Sequence, residues 1–94
     1  MVILNAGIMK EGLFKGVQAT ETQVELDTNV YHVVAMAKKM LAGLEARNSR
    51  SGLVTNSSLA SYIPIPTMVN YSATKSFVTS FTQALQGEVK NTDV

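Results

Sequence analysis

The sequence NYSATKSFV, from Asn70 to Val78, places a tyrosine and a lysine four residues apart. Apolar residues recur at helical spacing from this stretch onward, which predicts a helix that begins at about Met68 or Val69. On that helix Tyr71 and Lys75 would lie on one face. A free phenol ionises at about pH 10, and a neighbouring ammonium favours the phenolate, so such a pair can exchange a proton. The same spacing is also common on ordinary solvated helix faces, and alone it does not separate the two interpretations.

Two short apolar runs upstream, Val2 to Leu4 and Leu53 to Thr55, are predicted to be buried strands that end at polar turns. Between them, apolar residues at spacings of three and four predict a long amphipathic helix from about Glu21 to Ala46. Thr20 and Gln23 have the spacing of a capping box at its start. The order strand, helix, strand, helix is typical of parallel α/β folds.

Polar residues follow both predicted strands. Asn5-Ala6-Gly7 closes the first strand and Asn56-Ser57-Ser58 closes the second, with Ser58 thirteen residues before Tyr71. Ligands of parallel sheets gather outside the carboxyl ends of the strands. Three poor helix formers in a row, Asp27-Thr28-Asn29, predict a kink that would bring Asn29 to the same side. The sequence therefore predicts that these polar features and the Tyr71–Lys75 pair meet at one edge of the sheet.

In this order and at these intervals, the motifs resemble the short-chain dehydrogenase/reductase (SDR) family in its classical form. The resemblance extends over essentially all 94 residues. It implies part of a Rossmann-like, doubly wound parallel sheet, which would have three layers, αβα, in the full enzyme. It also implies reversible hydride transfer between NADP or NAD, with NADP slightly favoured, and a small-molecule alcohol/ketone pair.

The resemblance further implies a role for each motif residue. Tyr71 would be the catalytic acid/base and would contact substrate, while Lys75 would stabilise its phenolate and hydrogen-bond the nicotinamide ribose. Ser58 would hold and polarise the substrate carbonyl. Asn29 would sit where the kink frees a main-chain carbonyl, which holds a water that links Lys75 to solvent. Asn5, Ala6 and Gly7 would brace the central strand beside the cofactor, with Gly7 needed for a close turn.

Some features depart from the family pattern. Leu4 stands where the family usually has a second Asn, and His32 stands where a small residue is frequent. His32 is interpreted as a helix side chain rather than a ligand; with no second His and no Cys, no metal site is predicted. The glycine-rich turn that binds the cofactor pyrophosphate and the downstream Pro-Gly segment are both missing. Residues 1–94 are therefore predicted to form one partial domain, without the N-terminal glycine-rich half and the C-terminal substrate segment.

The loop SYIPIPT, from Ser61 to Thr67, corresponds to the position that lines the substrate pocket in this family. Its apolar residues Tyr62, Ile63 and Ile65 either favour a lipid-like carbonyl substrate or only pack the loop. Segments on both sides of this loop also resemble the branch of very-long-chain 3-oxoacyl-CoA reductases and 17β-hydroxysteroid dehydrogenases.

Composition limits the remaining classes of function. The net charge is +1 and the basic residues are scattered, so no nucleic-acid partner is predicted. No transmembrane run or signal peptide is recognised, and a cytoplasmic protein is expected, or one at the endoplasmic reticulum membrane if the acyl-CoA reductase branch is correct. The resemblance implies a homodimer or homotetramer for the full-length enzyme. An alternative hypothesis is a truncated, catalytically inactive paralogue that acts only through helix-mediated association.

Overall fold

The sheet of this computed structural model, which describes residues 1–94, consists of two parallel strands. Strand β1 spans Val2–Leu4 and strand β2 spans Leu53–Thr55, with Ile3 opposite Val54. Leu4 is 6% exposed whereas Ile3 is 56% exposed, because successive side chains of a strand point to opposite faces and helices cover only one. Parallel strands need a long crossover connection, and a helical segment provides it. The predicted strands and the α/β class are confirmed.

Helices occupy the segments that follow each strand. Helix α1, Ala19–Leu26, continues through a π-helical segment, Asp27–Tyr31, into helix α2, His32–Glu45. Helix α3 spans Val69–Val89 and begins where the sequence predicts. Single 3₁₀ turns lie in the two loops, at Phe14–Gly16 and Leu59–Ser61. None of the helices is both long enough and apolar enough to cross a bilayer.

The π-helical segment lies at the three residues that predict a kink. The N–H of His32 bonds to the carbonyl of Asp27, five residues back, so the helix widens by one residue and continues instead of breaking. Segments of this kind are rare and occur mostly at functional sites. The predicted irregularity is therefore present, in the form of a wide turn that contains Asn29.

The start of α1 differs from the prediction. The helix is capped by Gln18, not by Thr20, and Glu21 rather than Gln23 takes the third helical position. The Glu21 carboxylate receives Lys10 Nζ at 3.0 Å and the Gln18 N–H at 3.3 Å. The Lys10 hydrogen bond, followed by that from Gln18, holds the pKa of Glu21 below its usual value of 4.5. A carboxylate in the first turn also interacts favourably with the positive end of the helix dipole. Glu21 therefore closes the start of the helix three residues after Gln18.

The apolar core lies between one sheet face and the two long helices. Leu4, Val33, Ala37 and Val78 form its centre, each at most 6% exposed. Val33 and Ala37 come from one face of α2 and Val78 comes from α3, so both helices pack on the same side of the sheet. Eleven of the 94 residues are buried and five of these are polar, which makes the apolar core small.

Truncation of Val78 tests this core. Val78 is 1% exposed, and Val78→Ala should lower the free energy of unfolding by about 2 kcal/mol, because buried methyl groups are lost and a cavity remains. The matched control is Val24→Ala, because Val24 is 55% exposed and its truncation should change stability by no more than about 0.5 kcal/mol. Denaturant unfolding of both variants, in the natural polypeptide that carries residues 1–94, measures the difference. Equal losses for the two variants would contradict the assignment of the core.

Candidate active site

Asn29 joins three parts of the chain at the carboxyl end of β1. It is 1% exposed, its Oδ1 accepts a hydrogen bond from the Ile8 N–H (2.9 Å), and its Nδ2 donates to the Ile8 carbonyl (2.7 Å). The same Nδ2 donates to Thr74 Oγ1 (3.1 Å), and that hydroxyl donates to the Tyr71 carbonyl (2.8 Å). One side-chain amide therefore connects the loop after β1 with the first turns of α3.

Lys75 and Tyr71 lie on one face of α3, as the spacing predicts. Lys75 is 5% exposed, its Nζ donates to the Asn56 carbonyl at 2.8 Å, and it lies 5.7 Å from the centre of the Tyr71 ring. A buried ammonium needs hydrogen-bond acceptors, and the carbonyl at the end of β2 supplies one. The ammonium carries three N–H donors, so two remain available for a ligand. The ring of Tyr71 is itself half-buried.

Gly7 packs against Asn29 and Lys75 without a side chain. A Cβ at this position would lie 3.4 Å from Lys75 Nζ and 3.5 Å from Asn29 Oδ1. The φ angle of Gly7 is outside the left-handed region, so its backbone conformation alone does not require a glycine. The bare backbone instead leaves an open surface beside the ammonium.

Asn5 and Ala6 are exposed at the end of β1. Asn5 Oδ1 accepts a hydrogen bond from Asn56 Nδ2 at 2.8 Å, which ties the ends of the two strands together. This contact agrees with the bracing that the family resemblance implies for Asn5. His32 lies half-buried at the start of α2, next to the π-helical segment.

Ser58 caps the 3₁₀ turn that follows β2. Its Oγ accepts from the Ala60 N–H (3.2 Å), and its carbonyl accepts from the Ser61 hydroxyl (2.7 Å). Because the Ser58 hydroxyl accepts in this contact, its own proton remains available to a ligand. Ser58 makes no hydrogen bond to Tyr71 or Lys75. Its neighbour Ser57 makes the connection to α3, since Ser57 Oγ donates to the Lys75 carbonyl (3.1 Å).

Paired hydroxyl groups fix how α3 lies on β2. Thr55 Oγ1 lies 2.7 Å from Thr82 Oγ1, and Ser57 Oγ lies 2.6 Å from Thr79 Oγ1. Ser57 belongs to the polar turn that closes the second strand, but no motif in the sequence contains Thr79 or Thr82. The sequence could have indicated these pairs only through spacing. Residues 55 and 57 share a face of a strand, and residues 75, 79 and 82 share a face of a helix.

Two further serines of α3 hold the loop from Ser61 to Thr67. Ser72 Oγ accepts from the Ile65 N–H at 3.1 Å, and Ser76 Oγ donates to the Ser61 carbonyl at 3.0 Å. Between loop and helix lies a groove of about 380 Å³ that these two serines line together with Pro64, Ile65, Pro66, Val69 and Ala73. Neither Tyr71 nor Ser58 lines this groove. The apolar side chains of Tyr62, Ile63 and Ile65 are exposed.

The family follows from a comparison with known proteins: a family model for short chain dehydrogenases matches residues 1–94. The chain belongs to this family. Dehydrogenase/reductase SDR family member 7B of Xenopus laevis is 31% identical over 94 residues, which is 100% of this chain and 29% of that protein. The very-long-chain 3-oxoacyl-CoA reductase of Mycosarcoma maydis is 32% identical over 101 residues, 97% of this chain and 28% of its own. The predicted family is confirmed, and its relatives include a member of the branch that the sequence resembles. The chain spans less than a third of the length of either relative.

Solved structures of related enzymes have the same fold. The 3-ketoacyl-(acyl-carrier-protein) reductase of Brucella melitensis, complexed with NADH, matches with a TM-score of 0.87 at 28% identity, over 94% of this chain and 38% of that one. A serine dehydrogenase complexed with NADP⁺ matches with a TM-score of 0.88 at 26% identity, over 96% and 36%. The chain is therefore an α/β segment of the Rossmann type, similar to enzymes that bind either form of the nicotinamide dinucleotide.

Removal of the Ser72 hydroxyl tests how the loop is held. In Ser72→Ala the Ile65 N–H loses its acceptor. Because one hydrogen bond is lost, hydrogen exchange of the Ile65 amide should become about tenfold faster. Ser80→Ala is the control, since Ser80 is exposed on the same helix. Exchange measured by mass spectrometry or NMR should change in the first variant alone. Unchanged exchange at Ile65 in Ser72→Ala would show that the serine does not hold the loop.

Proposed function

We propose that residues 1–94 supply the proton-transfer centre of an NAD(P)-dependent oxidoreductase that interconverts an alcohol and a ketone. Family membership supports the oxidoreductase class. The observation that carries the proposal is the position of the Lys75 ammonium, which is buried, fixed by the Asn56 carbonyl and 5.7 Å from the centre of the Tyr71 ring. A phenol beside a fixed and desolvated cation is suited to general acid/base work.

Tyr71 is the proposed acid/base. In the direction of reduction its phenol donates a proton to the carbonyl oxygen, and in the direction of oxidation its phenolate removes the proton from the alcohol. Lys75 stabilises the phenolate, because a cation held away from water interacts strongly with a nearby anion. The free proton of the Ser58 hydroxyl is the proposed donor that orients and polarises the carbonyl.

The residues around Lys75 fit the nicotinamide half of a dinucleotide. Two N–H donors of Lys75 remain for ribose hydroxyls, and the backbone of Gly7 offers a surface without a side chain beside them. Asn5 and Ala6 would continue this cofactor-facing edge. When bound, the cofactor supplies or accepts the hydride. Either NADP or NAD suits this half, because the residue that reads the ribose 2′ position lies elsewhere in the family.

The pyrophosphate half of the cofactor has no counterpart in these residues. Such groups bind at a glycine-rich turn that opens a helix. The helix nearest in sequence to Gly7, Gly12 and Gly16 is α1, and it is capped by Gln18. We therefore propose that residues 1–94 alone are inactive.

Asn29 is the proposed centre of a proton relay. The wide turn Asp27–Tyr31 departs from regular helical hydrogen bonding, and such departures let a water insert into the main-chain ladder. In the proposal a main-chain carbonyl of this turn holds a water that links Lys75 to solvent. The side chain of Asn29 is fully engaged with Ile8 and Thr74, so its contribution is to hold the turn in place.

The proposed substrate is an apolar, lipid-like ketone. Three neighbouring side chains of the substrate-pocket loop are apolar and exposed: Tyr62 at 69%, Ile63 at 60% and Ile65 at 38%. Exposed apolar groups of this density favour an apolar ligand over a sugar. The full-length enzyme is proposed to be a homodimer or homotetramer, which the exposed apolar residues Leu26 of α1 and Phe77 of α3 support.

Replacement of Tyr71 by Phe tests the acid/base assignment. In the natural polypeptide that carries residues 1–94, Tyr71→Phe should lower kcat for ketone reduction by at least about 100-fold, since general acid/base groups contribute 10² to 10⁴. NADPH binding should be retained because the ring is kept. Tyr31→Phe is the control, as Tyr31 is 71% exposed on the π-helical segment. Full activity of Tyr71→Phe would contradict the assignment of Tyr71 as the acid/base.

A second candidate is the inactive paralogue that acts through its helices, which the exposed apolar residues Leu26 of α1 and Phe77 of α3 favour. Titration of the purified 94-residue chain with NADPH, followed by nucleotide fluorescence, addresses the difference. We expect no saturable binding, because no pyrophosphate site is present. Tight binding by these residues alone would contradict the proposal that they are only one part of the cofactor site. Activity of the natural polypeptide, or its absence, then separates enzyme from paralogue.

A further inference from the structure

Glu25 of α1 is a buried carboxylate that the proposed chemistry does not use. It is 0% exposed, its Oε1 accepts a hydrogen bond from the Lys10 N–H at 3.2 Å, and its Oε2 has no hydrogen-bond partner. A carboxylate in such surroundings lowers stability unless both oxygens are satisfied. An apolar residue of similar size would avoid this cost, so the side chain points to a task other than packing.

Glu25 belongs to a row of polar residues with a spacing of four. Glu21, Glu25 and Asn29 follow one face of α1 and the π-helical segment, and all three reach the loop after β1. Glu21 binds the Lys10 ammonium at 3.0 Å, Glu25 binds the Lys10 N–H, and Asn29 binds both main-chain groups of Ile8. The helix thus holds residues 8–10 at two main-chain positions, Ile8 and Lys10.

The two contacts on Lys10 differ in their exposure to water. The Lys10–Glu21 ion pair has side chains that are 48% and 39% exposed, and such pairs contribute little. The acceptor of the main-chain contact is fully buried, where a hydrogen bond is electrostatically stronger. Of the two acidic residues, Glu25 is therefore the one that determines where the main chain of Lys10 lies.

We infer that Glu25 is a positioning residue for the nicotinamide half of the cofactor. By holding the Lys10 N–H it fixes residues 8–10, and together with Asn29 it keeps the backbone of Gly7 against Lys75. This inference rests on the proposed function, because Gly7 and Lys75 form the proposed cofactor-facing edge. The hydrogen-bond acceptor at Oε1 performs the task, and the charge does not.

Three substitutions in the natural polypeptide separate the hydrogen-bond acceptor of Glu25 from its charge and from the exposed contact of Glu21. Glu25→Leu removes the acceptor, Glu25→Gln keeps an acceptor without the charge, and Glu21→Gln weakens the exposed contact to the same lysine. For Glu25→Leu we expect the KM for NADPH to rise about tenfold, because one buried hydrogen bond is lost. The kcat at saturating NADPH should change less than about twofold. Glu25→Gln and Glu21→Gln should stay within about twofold in both constants. A KM in Glu25→Gln as high as in Glu25→Leu would overturn the acceptor role.

The contacts of Glu25 and Asn29 with residues 8–10 form a clamp on this loop. Amide hydrogen exchange of the unliganded protein tests this clamp without catalysis. The Lys10 amide should exchange about tenfold faster in Glu25→Leu than in the parent protein or Glu25→Gln, whereas the Ile8 amide keeps its Asn29 acceptor and should change less. If exchange is unchanged in Glu25→Leu, there is no clamp. If exchange rises while NADPH affinity stays the same, the clamp exists and its role for the cofactor is refuted. If the parent protein binds no NADPH, the proposed function fails and the cofactor role fails with it, while the exchange result still reports on the clamp.

Glu25→Asp provides a second variant should the leucine protein fail to fold. Because its side chain is one methylene shorter, its carboxylate no longer reaches the Lys10 N–H, although the charge is kept. It should reproduce the rise in KM and in exchange. Parent-like values for a folded Glu25→Asp would overturn the inference.

Discussion

The arrangement of this site depends on the side-chain amide of Asn29. A loop that leaves a strand carries main-chain donors and acceptors that must find partners, and Asn29 supplies both partners for Ile8 at 2.9 and 2.7 Å. An amide can do this because it carries an acceptor and two donors at one end. Its remaining donor binds Thr74 Oγ1, so the position of the loop and the position of α3 are set by the same group. The π-helical segment presents this amide at the level where both neighbours can be reached.

Apolar packing alone would not align α3 on the sheet. Val78 and its apolar neighbours bring the helix close to β1 and α2, but contacts of this kind are not directional. The hydroxyl pairs Thr55–Thr82 and Ser57–Thr79 add direction, and Ser57 also holds the Lys75 carbonyl. The distance between helix and strand is thus set by the core, and the rotation and register of the helix by hydrogen bonds. The proposed donor Ser58 follows directly after Ser57 in the chain, and it makes no hydrogen bond to α3 itself.

Features that depend on local pattern could be predicted from the sequence, and features that depend on contacts between distant residues could not. Both strands, the start of α3 and the shared face of Tyr71 and Lys75 follow from alternation and helical spacing. The start of α1 differs from the prediction because Glu21 accepts the Gln18 N–H and takes the third helical position, whereas the prediction relied on the spacing of Thr20 and Gln23. The burial of Glu25 could not be predicted, because an acidic residue on a helix usually faces water and this one is covered by the loop after β1. The roles of the motif residues came from resemblance to a family rather than from spacing.

The small core and the proposed chemistry have one physical origin. Of the five polar residues that are buried, Glu25, Asn29, Thr74 and Lys75 lie in or beside the proposed site. Burial of such groups opposes folding, since each loses its hydration and regains only specific hydrogen bonds. The same loss of hydration strengthens the field of the Lys75 ammonium at Tyr71, which is what a phenolate beside it requires. A lysine in contact with water would oppose folding less, but it would also stabilise the Tyr71 phenolate less. The buried polar groups at this edge of the sheet therefore cost stability and at the same time favour the proposed acid/base chemistry.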